Sequence, residues 1–344
     1  MDLAELITTL ARPAGPAGFE GPAARAAAEL AAPFADEVRT DALGSVIAVK
    51  RCGREGAKRL MLCAHIDEIG LIVTGYEKGF LRVSAIGGMD SRCLPASRVR
   101  VLTEEPIYGI VDVLPPHVLS AEDSDKVIEM DKLFVDVGFS EEEVKARIPL
   151  GTPVAPDASC ERLGANRLSG RALDDRAGAA ILIKAMELLS GKALHADIYA
   201  VFSAQEELGS RGATTAAFAI APDACIALDV TYGAQPGTKP ESAFKLGGGP
   251  AIGVGPNVSR TLYKKLVSLA KERDIPYQTE VLPGNSGTDA WVAQVSREGV
   301  RTALISPPLR YMHSPVETLD LRDGARCAEL LAAFCETYGN EEAE

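Results

Sequence analysis

The sequence predicts an α/β fold: a mixed-sheet α/β/α domain interrupted by a small β-rich, barrel-like insertion. Three observations carry this. Apolar strand-like runs alternate with helical-period segments near the start and again from Ser169 onward. From Ile69 the helical segments disappear, and short strands follow one another between Gly, Pro and acidic turns. Finally, 344 residues with 47% hydrophobic and 24% charged side chains are enough for one large or two ordinary globular domains. The change in texture places the boundaries near Gly70 and Asn166, giving a first α/β part at 1–69, an insertion at 70–165 and a second α/β part at 166–344.

The elements follow in order. Leu3 to Leu10 has helical spacing and stops before Arg12-Pro13. A second, alanine-rich helix runs from Glu20 to Ala32 and ends before Pro33. Residues 37–40 and 46–50 read as a hairpin around Asp41-Ala42-Leu43-Gly44. Arg59 to Ala64 is continuously apolar after its first residue, as in a strand buried on both faces. The insertion contains strands near 71–74, 80–85, 98–102, 107–113, 133–137 and 152–154, with a short helix at 141–147. A long helix is predicted over 175–189, followed by strand 197–203, helix 212–220 and strand 224–230. Beyond the Gly247-Gly248-Gly249 loop come helix 259–273, strand 277–281, helix 288–296, strand 301–305 and a terminal helix 321–338. The tail from Asn340 to Glu344 is expected to fray.

A net charge of −12 opposes sequence-independent nucleic-acid binding, and 5% aromatic residues offer no stacking platform for bases. The seven cysteines are odd in number and lack CxxC spacing, which fits free thiols in a reducing compartment. The acidic N-terminus does not resemble a secretory signal, and no run is long enough to span a membrane. A cytoplasmic location is the expectation.

In open α/β sheets, ligands gather beyond the carboxyl ends of the strands. The predicted strands deliver His65 and Asp67, then Glu206 and Glu207, then Asp229, to that edge. Asp174 and Asp175 open the long helix, and His313 follows the last strand. Imidazole mixed with carboxylate suits zinc, cobalt or manganese rather than calcium. Each residue also has a plainer reading. Glu206-Glu207 could sit on an exposed helix start, where acids suit the dipole. One of Asp174 and Asp175 could cap the helix, although capping explains two adjacent aspartates less well. His65 could end its strand as a satisfied histidine, but Asp67, two residues on, lies on the same side and can fix its tautomer. Asp229 could be a turn residue and His313 a loop histidine; His117 and His195 lie away from this edge and are read as structural or surface.

Ala64-His65-Ile66-Asp67-Glu68, Ala172-Leu173-Asp174-Asp175-Arg176, Gln205-Glu206-Glu207-Leu208-Gly209-Ser210-Arg211-Gly212, Leu228-Asp229-Val230 and Met312-His313-Ser314 appear in this order along the chain, with Gly287-Thr288-Asp289-Ala290 between the last two. The set resembles the signatures of the tetrahedral aminopeptidases, dinuclear metallopeptidases related to glutamyl and deblocking aminopeptidases, some of which carry a cellulase or endoglucanase label. The resemblance implies a zinc-peptidase-like catalytic domain and two divalent metal ions per subunit, zinc first, with cobalt or manganese as alternatives. It implies that Asp174 bridges the ions, that His65 and Asp229 complete one site, and that Glu207 and His313 complete the other. Glu206 would be the general base and acid acting on a water between the ions, and Asp67 the partner that orients His65. A cis peptide would fall between Asp174 and Asp175. The substrates implied are peptides with a free N-terminus, and the assembly a homo-oligomer, a dodecamer built from dimers joined through the insertion.

Three rivals remain at this stage. A glycosidase needs two carboxylates flanking its bond at ~5–5.5 or ~6.5–9.5 Å, and adjacent Glu206 and Glu207 have no obvious such geometry. A metal-dependent deacylase or amidase would share the scaffold. A non-catalytic assembly would have no use for Glu206 as a base.

Overall fold

A computed structural model of the chain describes residues 1–115, 117 and 127–340. Helix α1 (Leu3–Ala11) begins where Asp2 accepts the Glu5 backbone N–H at 3.0 Å, and buries Leu6, Ile7 and Leu10. Helix α2 (Gly21–Ala31) follows, then the antiparallel hairpin of β1 (Glu37–Thr40) and β2 (Val46–Lys50).

That hairpin edges an eight-stranded sheet of order β1-β2-β12-β3-β13-β17-β15-β16. Its centre is four parallel strands: β12 (Ala196–Ser203), β3 (Lys58–His65), β13 (Ala224–Leu228) and β17 (Arg301–Ser306). Antiparallel β2 on one side and β15 (Ala251–Val254) on the other make the sheet mixed, and β15 pairs in parallel with β16 (Gln278–Val281). Leu60, Leu62 and Ala64 of β3 pack with α1, α2, the long helix α4 (Leu173–Leu188), α6 (Arg260–Glu272) and the terminal helix α8 (Leu321–Thr337). Met61 and Cys63 face the other way, towards α5 (Arg211–Ile220) and α7 (Asp289–Ala293). Burial on both faces explains the unbroken apolar run of this strand. All seven cysteines are unpaired, and no helix of the described residues is long and apolar enough to cross a membrane.

Between β3 and α4 the chain forms a closed barrel, β4-β5-β8-β7-β6-β9, from β4 (Gly70–Glu77), β5 (Phe80–Ile86), β6 (Arg98–Val101), β7 (Ile107–Asp112), β8 (Phe134–Asp136) and β9 (Pro153–Pro156). Alternate residues fill it, including Leu71 and Val73, Leu81 and Val83, and Val99 and Val101. Gly109 belongs to the inward set, where a Cβ would lie 2.7 Å from Val135. The expected short helix is α3 (Glu141–Arg147), opened by a Ser140–Glu143 capping box.

The sequence reading missed a second sheet of five strands, β10-β11-β19-β18-β14. Its members are β10 (Glu161–Leu163), β11 (Arg167–Gly170), β14 (Thr231–Tyr232), β18 (Pro308–Arg310) and β19 (Glu317–Asp320). These strands are too short to show a hydrophobic period, and β19 buries Glu317 and Asp320 where a strand usually buries apolar side chains. Strand β15, which follows the glycine loop and lies between β17 and β16, was missed as well. The helix expected over 288–296 is only Asp289–Ala293, and the strand expected to reach residue 230 stops at Leu228. His117 is exposed and His195 lies beside the C-terminal end of α8, so neither reaches the candidate edge. The frayed tail expected from Asn340 falls, beyond that residue, outside the described residues.

Glu68 ties three segments together beneath the sheet edge. Its carboxylate accepts from Arg171 Nη1 at 2.6 and 2.5 Å and from the Gly15 backbone N–H at 2.8 Å, and Arg176 Nη2 lies 3.7 Å away. Both guanidinium groups are buried, and burial pulls Arg176 down to about 10. Removing the carboxylate would leave two buried cations uncompensated, at a cost of about 3–5 kcal/mol. Glu68→Ala is therefore expected to lower the melting temperature by roughly 4–7 °C in a calorimetric scan; an unchanged temperature would show that the network is energetically idle.

Candidate metal centre

The parallel strands end at one edge, and each contributes there. His65 is the last residue of β3, and Asp67 follows two residues later. The loop after β12 carries Glu206 and Glu207, and β13 runs into Asp229. Asp174 opens α4, and its peptide bond to Asp175 is cis, as the resemblance implied. His313 sits in the turn between β18 and β19 with φ of 61°. All seven residues singled out from the sequence therefore meet at one edge.

The distances divide them into two groups around Asp174. Asp174 Oδ1 lies 2.9 Å from His65 Nε2, and Asp174 Oδ2 lies 3.3 Å from His313 Nε2. Asp229 Oδ1 is 3.9 Å from His65 Nε2, and Glu207 Oε1 is 3.2 Å from His313 Nε2. Ligand atoms of His65, Asp174 and Glu207 fall within 4.8 Å of one another, as do those of His65, Asp175 and Asp229. Asp175 was read from the sequence as a possible cap, and it is one: its Oδ1 accepts the Gly178 N–H at 3.0 Å. A side chain on Gly178 would collide with that carboxylate, at 2.2 Å from Oδ2. Asp175 Oδ2 has no hydrogen-bond partner, so Asp175 also offers an oxygen to the first group. Glu206 stands apart from both groups, and its Oε1 accepts from Ser210 Oγ at 2.9 Å.

Asp67 does more than the sequence indicated. Its Oδ1 faces His65 Nδ1 at 3.5 Å, longer than a good hydrogen bond. Its two oxygens accept the backbone N–H groups of Glu206 at 2.9 Å and Glu207 at 3.0 Å. One buried aspartate thus positions both the histidine of one strand and the glutamate loop of the next. Glu20 assists by accepting the Gln205 N–H at 3.1 Å.

The charges call for a cation. Burial and then the Asp175 carboxylate push Asp229 well above the usual carboxylate range. Burial, then Asp289 and Glu207, push Glu206 up to about 8 against the opposing pull of His65. Burial alone would pull His65 down, but its contacts with Asp174 and Asp67 hold it well above the ordinary histidine value. His313 is pushed up to about 11 by Asp174 and Glu207. Without a metal, protons must supply the positive charge these carboxylates demand. Two imidazoles and several buried carboxylates, with an unpartnered oxygen at Asp175 Oδ2 and no Lys or Arg among the described lining residues, fit divalent metal ions.

This sets a sign for pH dependence. Carboxyl groups whose pKa is raised by folding, such as Glu206 and Asp229, add stability below their unfolded values and lose it as pH rises towards the folded ones. The raised histidines act in the same direction. The metal-stripped protein should therefore melt at a lower temperature at pH 8 than at pH 5, while metal loading should remove the drop. Equal pH responses of stripped and loaded protein, followed by calorimetry, would contradict this.

Sequence reasoning missed three supports. Glu317 Oε2 accepts the Asp174 N–H at 3.0 Å and its Oε1 accepts the His313 N–H at 2.9 Å, so one buried acid holds the backbones of two ligands. Its place four residues after His313 was the available signal. Gly88, in the loop after β5, directs its carbonyl at His313 Nδ1, 3.2 Å away. A proton on Nδ1 leaves Nε2 free for a metal. Asp289, noted only as part of a motif, accepts from Ser203 Oγ and, at 3.1 Å, from Cys63 Sγ, pinning α7 beneath β12 and β3.

The ligand groups line a cavity of about 240 Å³. A larger one of about 880 Å³, between the turn at Pro13 and barrel residues near Arg100, is lined by none of them.

Comparison with known proteins identifies the family of the chain. The M42 glutamyl aminopeptidase family profile matches residues 44–330. The lysyl aminopeptidase of Pyrococcus furiosus is 43% identical over 309 residues, 88% of this chain and 87% of that protein. A TET aminopeptidase from a marine-sediment Thaumarchaeota archaeon superposes with a TM-score of 0.93 at 31% identity, over 99% of this chain and 98% of that one. The TET1 peptidase of Pyrococcus horikoshii, described as assembling into a tetrahedron or a large octahedral shell, gives 0.85 at 31% identity, over 97% and 99%. A family profile over most of the chain and a relative 43% identical thus lead to one conclusion: this chain belongs to the M42 glutamyl aminopeptidase family.

Proposed function

We propose that the protein is a dinuclear metallo-aminopeptidase that removes the N-terminal residue of peptides. The observation that carries this is Asp174, with one oxygen 2.9 Å from His65 and the other 3.3 Å from His313, while Glu206 stands unliganded beside them. His65, Asp174 and Asp229 would hold one divalent ion, and Asp174, Glu207 and His313 the other. Zinc is the first expectation, with cobalt or manganese as alternatives. Bound there, the ions would lower the pKa of a water from ~15.7 towards ~7 and polarise the scissile carbonyl.

The remaining work falls to the chain. Glu206 accepts the proton of the attacking water and returns it to the leaving amine. Ser210 holds one oxygen of Glu206 in place, and Asp67 fixes the backbone from which it projects. The cavity, about 240 Å³, is smaller than the ~300–1,000 Å³ that takes a drug-sized ligand, which suits one residue side chain better than a polysaccharide segment.

A panel of aminoacyl chromogenic amides tests the reading, run on stripped protein with added zinc, cobalt or manganese. Hydrolysis should require metal and a free N-terminus. Equal cleavage of N-acetylated substrates would favour a deacylase or amidase instead, and cleavage of cellulose oligomers alone an endoglucanase.

On the same reading the protein is cytoplasmic and a homo-oligomer, a dodecamer built from dimers. Residues 70–165 would be the inserted dimerisation domain between catalytic parts 1–69 and 166–344. The outward barrel side chains Tyr108 and Ile110, 51% and 43% exposed, support a covered surface there. Sedimentation should show a large particle; a stable monomer would overturn the assembly.

A further inference from the structure

The two groups of ligand atoms are held in unequal ways. His65 ends β3 and Asp229 follows β13, both central strands of the eight-stranded sheet, and the His65 side chain is 2% exposed. His313 stands in the turn between β18 and β19, and its side chain is 33% exposed. Its φ of 61° lies in the left-handed region, which costs a non-glycine residue energy unless its surroundings fix it. Glu317, the first residue of β19, supplies that restraint. Its Oε1 accepts the His313 N–H at 2.9 Å, and its Oε2 accepts the Asp174 N–H at 3.0 Å. The reach to Asp174 is possible because Glu317 pairs with Gly170 of β11, the strand that runs on into Asp174.

A carboxylate that merely closed a turn would have no reason to reach the opening of α4. Glu317 is 2% exposed, and both of its oxygens go to backbone N–H groups of residues that face each other across one group of ligand atoms. We propose that Glu317 is a positioning residue with one assignment: it sets the affinity of the site formed by Asp174, Glu207 and His313, and leaves the site of His65 and Asp229 nearly unchanged. This rests on the two-ion reading above. Glu317 acts through the backbones from which two ligands project. Asp174 has other anchors, because the Asp175 cap on the Gly178 N–H and the contact with His65 do not involve Glu317. His313 has fewer. Among the described residues, its other hydrogen bond outside the ligand carboxylates is the 3.2 Å contact of Nδ1 with the Gly88 carbonyl.

Glu317→Gln keeps the size of the side chain but leaves one oxygen to accept, so one of the two N–H groups loses its partner. Stripped wild type and variant are titrated with cobalt, and bound metal and the visible absorption of the ion are followed. Wild type should bind two ions per subunit. In the variant one ion should bind as in wild type and the other about 10–100-fold more weakly. Anomalous diffraction at the concentration where the variant holds one ion should place it beside His65 and Asp229. A residue that only supported the fold would weaken both ions alike. A second readout needs no variant, and decides the matter if Glu317→Gln does not fold. In stripped wild type, the His313 and Asp174 amides should exchange in heavy water as slowly as those of the β18–β19 ladder. Equal weakening of both ions, an unchanged titration, a lone ion beside His313, or a His313 amide exchanging like unstructured chain overturns the assignment and leaves the two-ion reading intact. A wild type that binds fewer than two ions overturns both.

Discussion

Glu206→Gln should leave two metal ions bound per subunit and abolish useful turnover, with a loss of at least ~10²–10⁴-fold in kcat. The amide keeps the size of the side chain and can still contact Ser210, but it cannot accept a proton from water. Glu206 lies outside both groups of ligand atoms, so its charge is not needed to hold either ion. The expected signature is a fall in kcat with little change in KM, alongside unchanged elemental analysis. Metal loss in this variant would make Glu206 a ligand, and a near-normal rate would remove it as the base.

Asp174→Asn should empty both sites together. Each carboxylate oxygen of Asp174 faces a different histidine. Substituting an amide replaces one of those oxygens with a donor and removes the charge that balances both imidazoles. Burial alone would push Asp174 up, yet its hydrogen bonds to His313 and His65 hold it below the usual carboxylate range, so it enters the site already ionised. Titration with a chelator, followed by elemental analysis, should show the content fall from two ions towards none at concentrations that wild type resists. Retention of one ion at full occupancy would mean that the aspartate serves a single site.

Much of this centre was legible in the sequence because the chemistry sits at strand ends. The run from Arg59 to Ala64 predicts a doubly buried strand, so the polar His65 and Asp67 that follow must emerge at an edge. The same logic located Glu206, Glu207 and Asp229. Helix-start capping predicted one role for the Asp174-Asp175 pair, and Asp175 fills it. The inserted strands were visible because Gly, Pro and acidic turns separate them and no long helix interrupts the run.

What was missed depends on contacts between distant segments. Gly88 offers His313 only a carbonyl, which leaves no mark in a side-chain pattern. Glu68 looked like one more member of a motif until Arg171 and Arg176 closed on it from over a hundred residues away. The five-stranded sheet escaped because strands such as Thr231–Tyr232 are shorter than any hydrophobic period.

The claim that most of this depends on is a pair of cations clasped by one aspartate. Anomalous diffraction from crystals loaded with zinc or cobalt tests it directly. Two peaks ~3.5–4 Å apart, one on each side of the Asp174 carboxylate with Glu206 bonded to neither, are the predicted result. A single peak, or peaks remote from Asp174, would contradict it.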